Sequence, residues 1–195
     1  MAATGFLLSF DVYGRGTDMV QALRQELRPP QGSPAGAAAN LWTLTLFPAT
    51  QTKESKTYKQ DVTKAIGGTD PRRRLLTGLC GALMKRRATS PLLLGMLEHE
   101  YVSLPHRARL LAGLAPSHPH RMRHGGASAD GLLPSISDAT SQERGGWTSP
   151  KSVAIYRQPA RYLRQLQLLT AQQKMSALTA SAAIRTMVVT FLRAR

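Results

Sequence analysis

A chain of 195 residues carries 26 lysines and arginines against 11 acids, a formal charge of +15, and one cysteine. That length is enough for one domain with a buried core, while a lone thiol excludes an internal disulfide and fits a reducing compartment. No apolar run reaches the roughly 18 residues of a membrane span, no basic segment precedes the first apolar patch as in a signal peptide, and the cation excess points to a polyanion, nucleic acid before membrane.

Gly5 to Val12 reads as a short apolar helix ending at Tyr13-Gly-Arg-Gly16. A second helix is expected from Thr17, as N-cap, to Leu27, with Pro29-Pro30 as its stop. Residues 31–40 are a Gly/Pro/Ala loop. Leu41 to Phe47 alternates large apolar and hydroxyl residues and predicts a strand, followed by a turn over 51–55 and a returning strand from Lys56 to Val62. Asp70-Pro71 opens a helix whose buried stripe is Leu75, Leu79 and Leu83. Cys80 lies in that apolar helix and reads as a small core residue. Arg72 to Arg74 and Lys85 to Arg87 are the basic clusters that a nuclear-import signal would use.

Residues 91–96 form an apolar link. Glu98 to Leu114 predicts a helix bent at Pro105, with Arg107 and Arg109 turned to solvent or nucleic acid. The next helix begins near Pro119 and runs to about Gly131. Ser137 to Glu143 is a short helix broken by Gly145-Gly146, and Ser149-Pro150 starts another that Pro159 ends. Tyr162, Leu166 and Leu169 stripe the following helix. Ala177 to Leu192 is a final helix whose Val188, Val189, Phe191 and Leu192 pack home or dock on a partner. After Glu143 there is no acid, while nine basic residues follow.

The chemistry concentrates between His118 and Tyr156. His120 and Arg123 stand three apart, so one helical turn aims both at one spot. Trp147 follows Arg123 by 24 residues, and Tyr156 follows Trp147 by nine. A guanidinium, an imidazole, an indole N–H and a phenol on a basic segment suit attack by a phenol on a phosphodiester. His118, His120 and His124 lack the cysteine or carboxylate that would complete a familiar metal set, so no metal and no cofactor is expected.

This ordered text, His120-Arg-Met-Arg123-His-Gly-Gly-Ala-Ser, then Gly146-Trp147, then Tyr156, resembles the catalytic domain of the tyrosine recombinases, the phage-integrase family. The likeness covers about residues 4 to 165. It implies an α+β fold, mainly helical with a small antiparallel β-hairpin or sheet, spanning residues 1–170, with residues 171–195 as an apolar tail that docks on a neighbouring protomer. It implies a site-specific enzyme that cuts and rejoins double-stranded DNA through a 3′-phosphotyrosine, as a homo-oligomer on DNA. The setting would be intracellular, and nuclear in a eukaryote. Arg15 and Arg123 would clamp the scissile phosphate, with Asp18 buttressing Arg15. Lys56, on the hairpin ahead of Lys53 and Lys59, would protonate the leaving oxygen. His120 would manage the tyrosine proton, supported by His124, Trp147 would donate its N–H, and Tyr156 would attack. Such recombinases normally carry an N-terminal DNA-clamping domain; here Met1 falls directly before the first catalytic box, which fits a truncated gene, a relic of a mobile element or a catalytic half working with another chain. By itself the chain is expected to be weak and slow on DNA. Two alternatives stand beside this reading. One is a DNA-binding remnant of a mobile element that has lost the site geometry around Gly14, Arg15 and Gly16. The other is a type IB topoisomerase, which the short chain and Trp147 disfavour.

Overall fold

Helix α1 (Ala2–Asp11) and helix α5 (His120–Asp130) cross at the centre of the molecule. In this computed structural model all residues are described except 1, 32–40, 50–60, 68–70, 86–88, 112, 115–116 and 194–195; for 2–3, 71–72, 184–185 and 187–193 the backbone alone is. The Gly125-Gly126 pair permits the crossing. A Cβ on Gly126 would fall 1.9 Å from the Phe10 carbonyl oxygen, and one on Gly125 would meet the Phe10 ring at 2.9 Å. A glycine run read in sequence as motif text is therefore a backbone-to-backbone contact that no side chain fits.

Leu8 and Val12 of this first segment enter the core with Met19, Leu27, Leu44, Ile66, Leu76, Leu94 and Tyr101. Helix α2 (Gly16–Gln21) starts one residue earlier than expected and stops six residues sooner. Its N-cap is Arg15 rather than Thr17, and the Asp18 carboxylate accepts the Arg15 backbone N–H at 2.8 Å. Beyond Gln21 the chain turns extended because Ala22 and Arg24 bond residues 91–93: Leu93 N–H donates to Ala22 O, and Arg24 N–H to Pro91 O. A helix cannot offer those groups, so tertiary pairing overrides the local helical pattern.

The sheet is antiparallel in the order β1 (Leu27–Arg28), β2 (Trp42–Leu46), β3 (Val62–Ile66). β2 matches the expected strand. The returning strand is described over Val62–Ile66, running beyond the expected end at Val62, and pairs Leu44 with Lys64; residues 56–60 of the expected strand lie outside the described residues. The expected turn and Lys56 fall outside the described residues. The hairpin's described ends, Phe47 and Asp61, both have positive φ, and Asp61 N–H donates to Phe47 O at 2.8 Å.

Helix α3 (Pro71–Lys85) is present, but the side chains it buries deepest are Leu76, Cys80 and Leu83, with Leu75 and Leu79 only half-buried. The core face is thus rotated by about one residue from the Leu75, Leu79, Leu83 stripe. Cys80 is a core residue, and burial pushes its thiol up to about 12. Helix α4 (Glu98–Leu111) keeps Pro105 inside it and ends before Leu114, at Gly113 with φ +64°. Its Tyr101 is fully buried and shares a 3.0 Å hydrogen bond with Ser9 of α1.

Helix α6 (Asp138–Gly145) is capped by Ser137, whose hydroxyl accepts from Thr140 N–H, and ends at left-handed Gly146. Helix α7 (Pro150–Tyr156) is capped by Ser149 in the same manner. Pro159 begins helix α8 (Pro159–Gln167), where Leu166 of the expected stripe is 41% exposed. Helix α9 (Ala171–Arg193) starts six residues before the expected Ala177 and packs on α3. Thr170 and Gln173 explain its early start, since each backbone N–H donates to the other's side-chain oxygen, a capping box. The fold is α+β and mostly helical with one small antiparallel sheet. Among the described residues no helix is long and apolar enough to cross a membrane.

Candidate functional site

A cavity of about 200 Å³ opens where α1, α5, α7 and the sheet meet. The turn after α1 brings Tyr13 and Arg15 to it, β3 brings Lys64, α5 brings Arg123, the α6–α7 connection brings Trp147, and α7 brings Tyr156. Arg15, Arg123, Trp147 and Tyr156 therefore line one space, as their order in the sequence suggested, and Asp18 lines it beside Arg15. His120, one helical turn before Arg123, holds its Nε2 3.4 Å from the Tyr156 hydroxyl. The His124 ring lies 4.4 Å from the Tyr156 ring. Lys56, and with it Lys53 and Lys59, lies outside the described residues.

Arg123 is 5% exposed. One terminal nitrogen donates to Tyr13 O and the other to Gly145 O at 2.8 Å, so the guanidinium ties the α1 turn to the end of α6. Burial, then the charge of Arg15, pulls Arg123 below the usual arginine range, against the opposing influence of Tyr156 and Asp18. Its Nε is buried without a hydrogen-bond partner, and so is the indole Nε1 of Trp147. Both donors are thus buried and unsatisfied within the protein.

Three aromatic rings stack across the site. Tyr13 lies on Trp147 with centroids 5.7 Å apart and planes 17° from parallel; Trp147 lies on Tyr156 at 4.8 Å and 11°. The Arg123 guanidinium carbon is 5.1 Å from the centroids of both Trp147 and Tyr156, an electrostatically favourable placing. Ser128 of α5 fixes the far end of α7, its hydroxyl donating to Tyr156 O and accepting from Gln158 N–H, both at 3.0 Å. The phenol is thereby held by its ring on one side and by its backbone on the other.

Burial first, and then His124, Arg123, Arg15 and His118, lowers the pKa of His120; burial and Arg161, Arg123 and Arg121 do the same for His124. A neutral imidazole beside a phenol can accept its proton. Asp18 is raised by burial, against the Arg15 backbone hydrogen bond and the charges of Arg15, Arg123 and Lys64. The expected support of Arg15 by Asp18 is thus seen at the Arg15 backbone. Gly14 and Gly16 serve packing here: a Cβ on the first would meet Met19 at 2.7 Å, and one on the second Pro119 at 3.3 Å.

No family model and no curated protein matches this chain.

Sequence reasoning missed two parts of this site. The first is Lys64, whose ammonium donates to Arg144 O at 2.6 Å and Glu143 O at 3.3 Å, clamping the C-terminal carbonyls of α6 to the sheet. The signal was its register: Val62, Lys64 and Ile66 alternate onto the covered face of β3. Lys64→Met keeps the length of the side chain and removes its donors. It is expected to lower unfolding stability by about 1–3 kcal/mol, read from urea denaturation at unchanged slope; no change would show that the clamp is incidental.

The second is a buried ionic network under Tyr13. Asp130, 1% exposed, accepts on one oxygen from the Tyr13 hydroxyl at 2.8 Å, from Arg73 at 2.9 Å and from Arg144 at 2.9 Å. Arg73 also bonds Asp11 at 3.1 Å. Burial alone would lower Arg144, but Asp11, Asp130 and Tyr13 outweigh it and raise its pKa. The network joins α1, α3, α5 and α6 directly beneath the aromatic stack.

Proposed function

We propose that this protein is a DNA strand-transfer enzyme of the tyrosine-recombinase type. One observation carries the reading: the Tyr156 phenol, 3.4 Å from an imidazole nitrogen of His120, lines one cavity with two arginines, one buried and one half-buried. Guanidinium forks keep their charge and match phosphate oxygens, so Arg15 and Arg123 would neutralise the non-bridging oxygens of a phosphodiester as charge builds on them. The Tyr156 oxygen attacks phosphorus and its proton passes to His120; the bond to the 5′-oxygen breaks, and that oxygen takes a proton from a lysine. Attack by a 5′-hydroxyl reverses the step, and the phosphotyrosine keeps the bond energy, so no nucleotide is consumed. Lys64, which lines the cavity, is one candidate for the proton donor, and Lys56, outside the described residues, is the one expected from sequence.

A nicked duplex that loses its 5′-hydroxyl fragment after cleavage traps the intermediate. Incubated with this protein, it should yield a protein–DNA adduct that survives denaturing electrophoresis. Absence of an adduct across a panel of duplex sequences, together with retained binding, would favour a non-catalytic DNA-binding remnant. One feature speaks for that second reading: both terminal nitrogens of Arg123 already donate to backbone carbonyls.

A further inference from the structure

A second, open hollow of about 490 Å³ is lined by α4, the connection after it and the start of α5. His106 and Arg107 reach it from α4, Ser117 and His118 from the connection, and Arg121 from α5, and none of its lining residues is acidic. Like charges crowd this face: burial and then the charge of Arg121 hold Arg109 below the usual arginine range. Cations that share a face repel one another less when an anion lies between them. Ser117 is 8% exposed, and its hydroxyl oxygen is buried with no hydrogen-bond partner. A buried hydroxyl left unmatched costs free energy, and here it sits among groups that bind anions. The hollow is wired to the site described above, since His118 Nδ1 accepts the His120 backbone N–H at 3.3 Å.

We infer that this hollow is a second phosphate-binding site, in which Arg107 and Arg121 bind the phosphate oxygens and the Ser117 hydroxyl donates to one of them. The inference draws on the proposed function only in taking duplex DNA as the main source of that phosphate; a free phosphate monoester has the same chemistry. A backbone phosphate held here would give the strand a second point of attachment besides the cavity that holds Tyr156.

The test compares the full chain with Ser117→Ala, with Arg107→Gln/Arg121→Gln, and with the exposed control pair Arg164→Gln/Lys174→Gln, after thermal melts verify folding. Each is titrated with a short duplex at several salt concentrations and, separately, with inorganic phosphate. Ser117→Ala should weaken binding about three- to tenfold at an unchanged salt slope, because it removes a hydrogen bond and no charge. The arginine pair should weaken duplex binding tenfold or more and lower the slope of log K against log salt by about 0.9, one phosphate contact. Losses in the duplex titration identify a DNA phosphate as the occupant, and losses confined to inorganic phosphate identify a free one. Wild-type affinity in Ser117→Ala, or losses in the arginine pair no larger than in the control pair, would overturn the site. Covalent capture through Tyr156 is scored independently: if wild type forms no adduct while the hollow variants still lose affinity, the phosphate site stands and the strand-transfer reading falls.

Discussion

Tyr156→Phe is expected to abolish covalent attachment to a nicked duplex while leaving non-covalent affinity within about twofold of wild type, since one hydroxyl is a small part of a polyelectrolyte contact. The substitution keeps the ring that stacks on Trp147 at 4.8 Å and leaves the Ser128 bond to the Tyr156 carbonyl in place, so the helix should hold its position. What disappears is the oxygen near His120 Nε2. Loss of a nucleophile that no neighbour replaces lowers the rate by orders of magnitude. The nearest other phenol, Tyr13, donates to Asp130, and burial, with Asp130, drives its pKa far up, so it makes a poor substitute. Gel shift and denaturing electrophoresis on the same samples separate binding from attachment. An adduct of undiminished yield in Tyr156→Phe would move the nucleophile elsewhere and sink the assignment.

The second large effect concerns the fold. Asp130→Asn is expected to destabilise the protein by about 3–5 kcal/mol, because it leaves Arg73 and Arg144 facing a neutral amide in a buried setting. Tyr13→Phe removes one neutral donor from the same oxygen and should cost about 1 kcal/mol. The contrast decides between the charge network and the aromatic stack as the support of the α1 turn. Equilibrium urea unfolding measures both, with the slope as a check that the transition stays cooperative. A loss below about 1 kcal/mol for Asp130→Asn would show that Asp11 alone suffices to hold the two arginines.

Much of the helical order was legible because it is written in local chemistry. Ser149-Pro150 opens α7 and Gly146 closes α6 as expected, whereas Pro159, expected to end a helix, begins α8. Spacing also brought His120, Arg123, Trp147 and Tyr156 together, since α5, the α6–α7 connection and α7 carry all four within a short stretch of chain. What could not be read depends on partners distant in the chain. The extended segment after Gln21 exists to bond residues 91–93, and Asp130 finds Arg73 at 57 residues' separation. Lys64 is not legible as a site residue because a lysine in a strand is ordinarily an outward, solvated one, and the expected returning strand ends at Val62, short of it. The face of α3 was legible in part: Cys80 and Leu83 are core as expected, whereas Leu76 takes the deep position and Leu75 and Leu79 are half-buried.

The two carbonyls bonded by Arg123 bear on how the site would move. A guanidinium carries five N–H donors in a rigid plane. Here two of its nitrogens are anchored to Tyr13 and Gly145, at opposite borders of the cavity. The side chain cannot swing toward a ligand without stranding two backbone oxygens. A bound phosphate must therefore meet the edge this plane already presents, and the entropy of ordering that arginine is lost during folding rather than at each encounter. Adaptability is left to Arg15, on its capped turn and only half-buried. One arginine then works as a fixed jaw and the other as a moving one, and misaligned strands would be rejected by the fixed side alone.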